Sequence, residues 1–273
     1  MVRFLRASAD LGFGGCFDSS PSWPMQTQSP IKADKPADRE IEYKQAMLTP
    51  YDWQEGIGHR AQYVESRLAS GTPVLAVSLE AGILAMTVRR QAHKLYEVYD
   101  RLLFSAIGQQ SDVESLRVAA IDFASQEGYQ RSEQDVTVQR VVAALSPQLK
   151  RAFADFNTVP FVVKSLFAEV EESPDLDTYY ILDYDGDFSV RQGVAYLAGS
   201  EEGSLEIKKA FAELDRTKLS VEDALARLQP IWAQAMDPSG EKDFAALTEN
   251  LVPEAVLLER RPKGENRFRV LLG

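Results

Sequence analysis

Between Gly71 and Gly108 the chain reads GTPVLAVSLEAGILAMTVRRQAHKLYEVYDRLLFSAIG, and this run constrains the fold more than any other. Residues 74–79 and 83–88 are apolar, β-rich segments separated by Glu80, Ala81 and Gly82, and residues 95–98 and 102–107 repeat the pattern around Tyr99, Asp100 and Arg101. Two hairpins therefore follow one another, with a single lysine, Lys94, at their junction. A chain that begins this way is building a sheet sandwich.

Helical periods flank these strands. Thr49, Pro50 and Asp52 supply an N-cap, a proline at the first helical position and a carboxylate three residues beyond the cap. Trp53, Ile57, Ala61, Val64 and Leu68 then share one helical face. Gly56 and Gly58 each cost this helix about 1 kcal/mol relative to alanine, so it depends on packing against something else.

After the hairpins, Ser111 and Glu114 read as a capping box opening a helix with Val113, Leu116, Ala120, Phe123 and Ala124 on one side. Asp135 is expected to cap a second helix, with Val138, Val141, Val142, Leu145, Leu149 and Phe153 as its apolar stripe, and Pro147 to kink or break it. Strands return at 161–170, 178–183, 187–191 and 194–197, with Asp185 and Gly186 as a turn. Helices over 200–214 and 220–235 follow, and a last strand pair, 254–259 and 267–272, closes on a turn at 263–266. The order is helix, strands, two helices, strands, two helices, strands. It fits an α+β protein of the four-layer αββα sandwich type with a leading N-terminal helix.

Composition narrows the possible functions. With 273 residues and 45% hydrophobic content, the chain can bury roughly three quarters of the surface its unfolded form exposes. A formal net charge of −11 argues against nucleic acid as a partner, because phosphate binding requires a basic face. One cysteine, Cys16, excludes an internal disulfide framework and a multi-thiolate metal site, and fits a reducing cytoplasm. Arg3 and Arg6 ahead of the Leu11 to Cys16 stretch faintly match a lipoprotein cleavage box, but Ser8 and Asp10 interrupt the apolar core that such a signal needs. No segment approaches the ~20 continuous apolar residues of a membrane span. Residues 1–46, rich in glycine, serine, proline and mixed charge, read as a disordered extension, and 47–273 as one domain. Translation from Met47 is the competing reading of that extension.

Several short matches run collinearly from about Met47 to the C-terminus: the helix after Thr49 and Pro50, the KLYEVYDR run from Lys94 to Arg101, and Gly108 before the first long helix. Gly128-Tyr129, Asp135-Val136-Thr137, Ala168-Glu169-Val170, Tyr184-Asp185-Gly186 and Gly199-Ser200-Glu201-Glu202 continue the series. In this order the chain resembles proteasome subunits of the Ntn-hydrolase superfamily, most closely the α type from bacteria. The resemblance implies a seven-membered ring of α subunits capping β subunits, which hold the proteolytic chamber. It also implies docking of the C-terminal tails of a ring-shaped AAA ATPase or activator. No cofactor, nucleic acid or membrane partner is implied.

Proteolysis in this family uses an N-terminal threonine exposed by cleavage after glycine, with its own α-amine as base. Gly71-Thr72 matches that junction, so a self-processing threonine peptidase with Thr72 as nucleophile is the enzyme alternative. Against it, the position of the family's aspartate falls on Val88, Pro73 follows the threonine, and a helix precedes it. The non-catalytic α-type reading is therefore preferred. A divergent sandwich forming another scaffold is a further alternative.

For an α subunit, the resemblance places Lys94 in an intersubunit pocket, where it pairs with the tail carboxylate and Gly108 borders the same pocket. A compact cation beside apolar strand residues suits that chemistry. The plain alternative is an ion pair of Lys94 with Glu97 or Asp100. The resemblance makes the helix carrying Tyr51, Asp52, Trp53, Ile57, Val64 and Leu68 a ring and gate element; those apolar residues could equally be core. His59 and His93, without a ligand cluster, make no metal site, and the acidic segment 169–177 reads as a solvated loop.

Overall fold

The structure, a computed structural model, describes residues 49–216, 218–261 and 266–273. The extension expected over 1–46 and most of the turn at 263–266 lie outside the described residues.

The leading helix α1 (Pro50–Leu68) is followed by β1 (Val74–Leu79), β2 (Gly82–Arg89), β3 (Leu95–Tyr99) and β4 (Leu102–Gly108). Helices α2 (Gln110–Gln130) and α3 (Val138–Ala154) come next, with a 3-10 turn at Glu133–Asp135 between them. Strands β5 (Val163–Glu169), β6 (Thr178–Leu182), β7 (Phe188–Gln192) and β8 (Val194–Leu197) lead to α4 (Glu201–Ala212), α5 (Val221–Met236) and the short α6 (Phe244–Leu247). Strands β9 (Val252–Glu259) and β10 (Phe268–Leu272) end the chain. The strands form two antiparallel sheets, β10-β9-β2-β1-β8 and β3-β4-β5-β6-β7.

Alternation along the strands explains the layers. In β1, Val74 and Ala76 face the space between the sheets, while Leu75, Val77 and Leu79 face α4 and α5. In β4, Leu103 and Ile107 point into that same central layer, and Leu102, Phe104 and Ala106 point at α2 and α3. The strands in the middle of both sheets are covered on both faces, so β1, β2, β4 and β5 read as continuous apolar runs rather than alternating ones, while the edge strands β7 and β10 stay more exposed. Helices, sheet, sheet, helices is the four-layer αββα sandwich that the element order implied.

Four local expectations change. The N-cap of α2 is Gln109, not Ser111, and it makes no side-chain cap; the carboxylate of Asp112 is engaged instead by the Val162 amide at 2.8 Å. Thr137, not Asp135, caps α3, and its first amide, Val138 N, donates to Glu169 of β5 at 2.9 Å. Helix α3 also runs unbroken through Pro147, because its buried stripe continues on both sides of the proline against the second sheet. The acidic segment 169–177 is no simple solvated loop either. Glu169 and Asp177 are buried, the first capping α3 and the second held by Arg260.

The leading helix divides in burial along its length. Thr49 and Asp52 form the expected capping box, and the threonine hydroxyl and amide hold the Asp52 carboxyl below its ordinary range. Val64 and Leu68 join the central core, whereas Tyr51 and Trp53 stay exposed and Ile57 is half-buried. Trp53 packs edge-on against Phe156 at 4.8 Å, and the same ring fills the space a side chain at position 56 would need. Arg60 donates to the carbonyls of Ala152 and Thr158, both at 2.9 Å, which ties α1 to the C-terminal end of α3.

Candidate functional site

Lys94 lies where the chain crosses from one sheet to the other. Strand β2 belongs to the first sheet and ends at Arg89; the exposed turn 90–93 leads into β3 at the edge of the second. The lysine thus sits at the mouth between the sheets, beside the entry of β1. Its Nζ donates to the Thr72 carbonyl at 2.8 Å and to Thr72 Oγ1 at 2.7 Å. Thr72 Oγ1 in turn donates to the Val88 carbonyl at 2.8 Å. Two of the ammonium's three donors are used on neutral oxygens, and among the described residues no carboxylate sits within ion-pair reach of it. Neither Glu97 nor Asp100 takes that place; Asp100 pairs with Arg267 at 3.1 Å.

The segment holding Thr72 is fixed from several sides. Gly71 N donates to the Leu68 carbonyl at 2.8 Å, and the Pro73 carbonyl accepts from Thr87 Oγ1 at 2.7 Å and from Trp232 Nε1 at 3.0 Å. Val88, where an acid would be needed to partner the lysine, is fully buried among Leu75, Leu84 and the α5 side chains.

Gly108 ends β4 on the opposite wall. Its φ of +137° and a hypothetical Cβ only 2.0 Å from the Val162 carbonyl oxygen require glycine here. Lys94, Thr72 and Gly108 line one cleft of about 400 Å³, whose remaining walls include Ile107, Val113, Met236, Leu251, Arg90 and His93. The arrangement presents one cation and a partly apolar surface. Desolvation pushes the Lys94 ammonium down to about 7, while the charge of Glu254 opposes that fall. Such a group gains most when an anion enters the cleft.

A family model described as Proteasome subunit matches residues 69–243. The chain belongs to the proteasome subunit family. Among curated relatives, "Proteasome subunit alpha" of Acidothermus cellulolyticus is 30% identical over 217 residues, covering 78% of this chain and 89% of that protein. "Proteasome subunit alpha" of Thermobifida fusca is 33% identical over 168 residues, or 61% and 66% of the two chains. The protein of the same name from Streptomyces coelicolor is 27% identical over 232 residues, 83% of this chain and 88% of that one.

Of the residues that the proteasome resemblance singled out, Lys94 and Gly108 are brought together, and Thr72 joins them as the hydrogen-bond partner of the lysine. The α1 residues Tyr51, Asp52 and Trp53 do not line this cleft. His59 is exposed, and among the described residues no group of histidine, cysteine and carboxylate side chains could hold a metal. Glu254 had no signal in the sequence. It stands 160 positions from Lys94 and reaches it because β9 pairs with β2, with Glu254 opposite Thr87.

Proposed function

We propose that this chain is a non-catalytic α-type subunit of a bacterial proteasome. It forms the outer ring with copies of itself, caps a ring of β subunits, admits substrate through a gate, and docks the C-terminal tails of a ring-shaped ATPase at Lys94 and Gly108. Residues 1–46 and the exposed start of α1, with Tyr51, Asp52 and Trp53, are assigned to the gate and ring contacts. Peptide hydrolysis belongs to the β partner, and the complex works in the cytoplasm. The observation that carries the docking reading is the Lys94 ammonium, held by Thr72 at the wall of an open cleft with, among the described residues, no carboxylate within ion-pair reach of Nζ. A tail carboxylate would pair directly with Nζ and accept its remaining N–H. Against catalysis by Thr72 stands the buried valine at 88, where an acid would be needed to partner the lysine, beside a segment held by hydrogen bonds at Gly71 and Pro73.

The test is a titration of the assembled particle with a labelled peptide ending in a free carboxylate, compared with the same peptide as its C-terminal amide. Binding is expected to need both the carboxylate and the lysine. Lys94→Ala should weaken it roughly 10- to 100-fold, the ~1.5–3 kcal/mol of a hydrogen bond between charged groups. Equal binding of acid and amide would overturn the docking assignment.

Protonation sets a further expectation. A bound carboxylate raises the lysine's proton affinity, so affinity is complete below the pKa of the free site, about 7, and falls roughly tenfold per pH unit above it until the pKa of the bound state is reached. Anisotropy titrations across that range would reveal this slope, and a flat profile would contradict it.

A further inference from the structure

The turn that carries Lys94 is exposed at 90–93, and side chains hold it. Glu254, 2% exposed on β9, makes most of these contacts. Its Oε2 accepts the Lys94 backbone N–H at 2.9 Å and lies 3.7 Å from Arg89 Nε; its Oε1 is 2.8 Å from His93 Nδ1. One buried carboxylate therefore grips both ends of the crossing between the sheets. It does not touch Nζ, whose own acceptors are uncharged.

Resting on the docking reading above, we propose that Glu254 is the positioning residue of the tail cleft: it fixes the turn from Arg89 to Lys94 and supplies the negative charge that keeps the lysine an ammonium until a carboxylate arrives. The charged and titratable groups around Lys94 are Arg89 at the end of β2, Arg90 and His93 from the turn, Glu254 from β9 and Tyr96 from β3. Glu254 is the carboxylate among them. The charge of Glu254 is the influence that resists desolvation of Lys94. Placing the acid behind the backbone leaves Nζ open to an incoming ligand, which an acid paired directly to Nζ would block.

Glu254→Gln separates the two duties, since a carboxamide has nearly the same shape and still accepts the Lys94 amide but carries no charge. The full-length chain, assembled with its β partner, is titrated with the labelled free-carboxylate peptide across the neutral range. The Glu254→Gln particle is expected to bind like wild type at the acidic end, and the midpoint of its pH profile to move down by about one unit, a roughly tenfold loss above that midpoint. Measuring both chains also in a His93→Gln background removes the imidazole, 2.8 Å from Glu254, from the comparison. A second variant guards against a purely structural effect. In Lys94→Arg the guanidinium stays charged unaided, so adding Glu254→Gln should move no midpoint there. Wild-type binding with an unshifted Glu254→Gln midpoint would overturn the role of Glu254 alone, as would an equal loss in the Lys94→Arg background. Absence of carboxylate-dependent binding by wild type would overturn the docking reading and this proposal with it.

Discussion

Asp177→Ala is expected to destabilise the fold by about 3–5 kcal/mol, because it leaves a buried guanidinium without its counter-charge. Arg260 and Asp177 are 7% and 0% exposed and meet through both carboxylate oxygens, at 2.6 and 2.8 Å. The same guanidinium donates to the Leu79 carbonyl at 2.8 Å and to those of Glu80 and Glu171, while Asp177 accepts the Glu171 amide at 2.9 Å. The pair thus ties the β1–β2 turn and the end of β9, in the first sheet, to the β5–β6 connection in the second. Thermal unfolding should show a fall on the order of 10 °C for a domain of this size. Asp177→Asn, which keeps an acceptor, should lose less. Replacing both partners by apolar residues of similar volume should recover much of the loss, since desolving two charges is itself costly. A drop below about 1 kcal/mol in Asp177→Ala would mean that the pair behaves like an exposed one.

Gly108→Ala is the second large effect. A methyl group there would stand 2.0 Å from the Val162 carbonyl oxygen and 2.9 Å from its carbon, at a φ of +137° that side chains disfavour. Strain of about 1–3 kcal/mol from the backbone adds to a similar cost of overpacking, because the clash is with main chain that cannot rotate away. Gln109 N donates to the same carbonyl at 2.8 Å, so relief would displace the start of α2 and one wall of the cleft. Tail-peptide affinity should fall together with stability. A variant with wild-type melting and wild-type peptide binding would show that the glycine is dispensable.

How far the sequence was legible follows from the range of each interaction. Strands buried on both faces, such as 74–79 and 102–107, declare themselves by continuous apolar runs. Caps formed within three residues, at Thr49, Ser200 and Ser220, are equally visible. Ser111 and Asp135 misled because distant partners decide those helix starts: Val162 engages Asp112, and Glu169 reaches the first amide of α3 from 31 positions away. Pro147 misled because propensity yielded to packing on the sheet. At the site, the hairpin order exposed Lys94 and the strand end exposed Gly108. The acids that matter most, Asp177 and Glu254, looked like any other charges, since their partners lie 83 and 160 positions along the chain.

The most direct measurement is native mass spectrometry of this chain co-expressed with its candidate β subunit, with the denatured mass of each chain from the same sample. The α-subunit reading requires a mixed multi-ring particle in which this chain retains the residues ahead of Thr72, and peptide hydrolysis that disappears when the β subunit is omitted. A ring of this chain alone, its subunits beginning at Thr72 and cleaving peptides, would contradict that reading and make Thr72 the nucleophile.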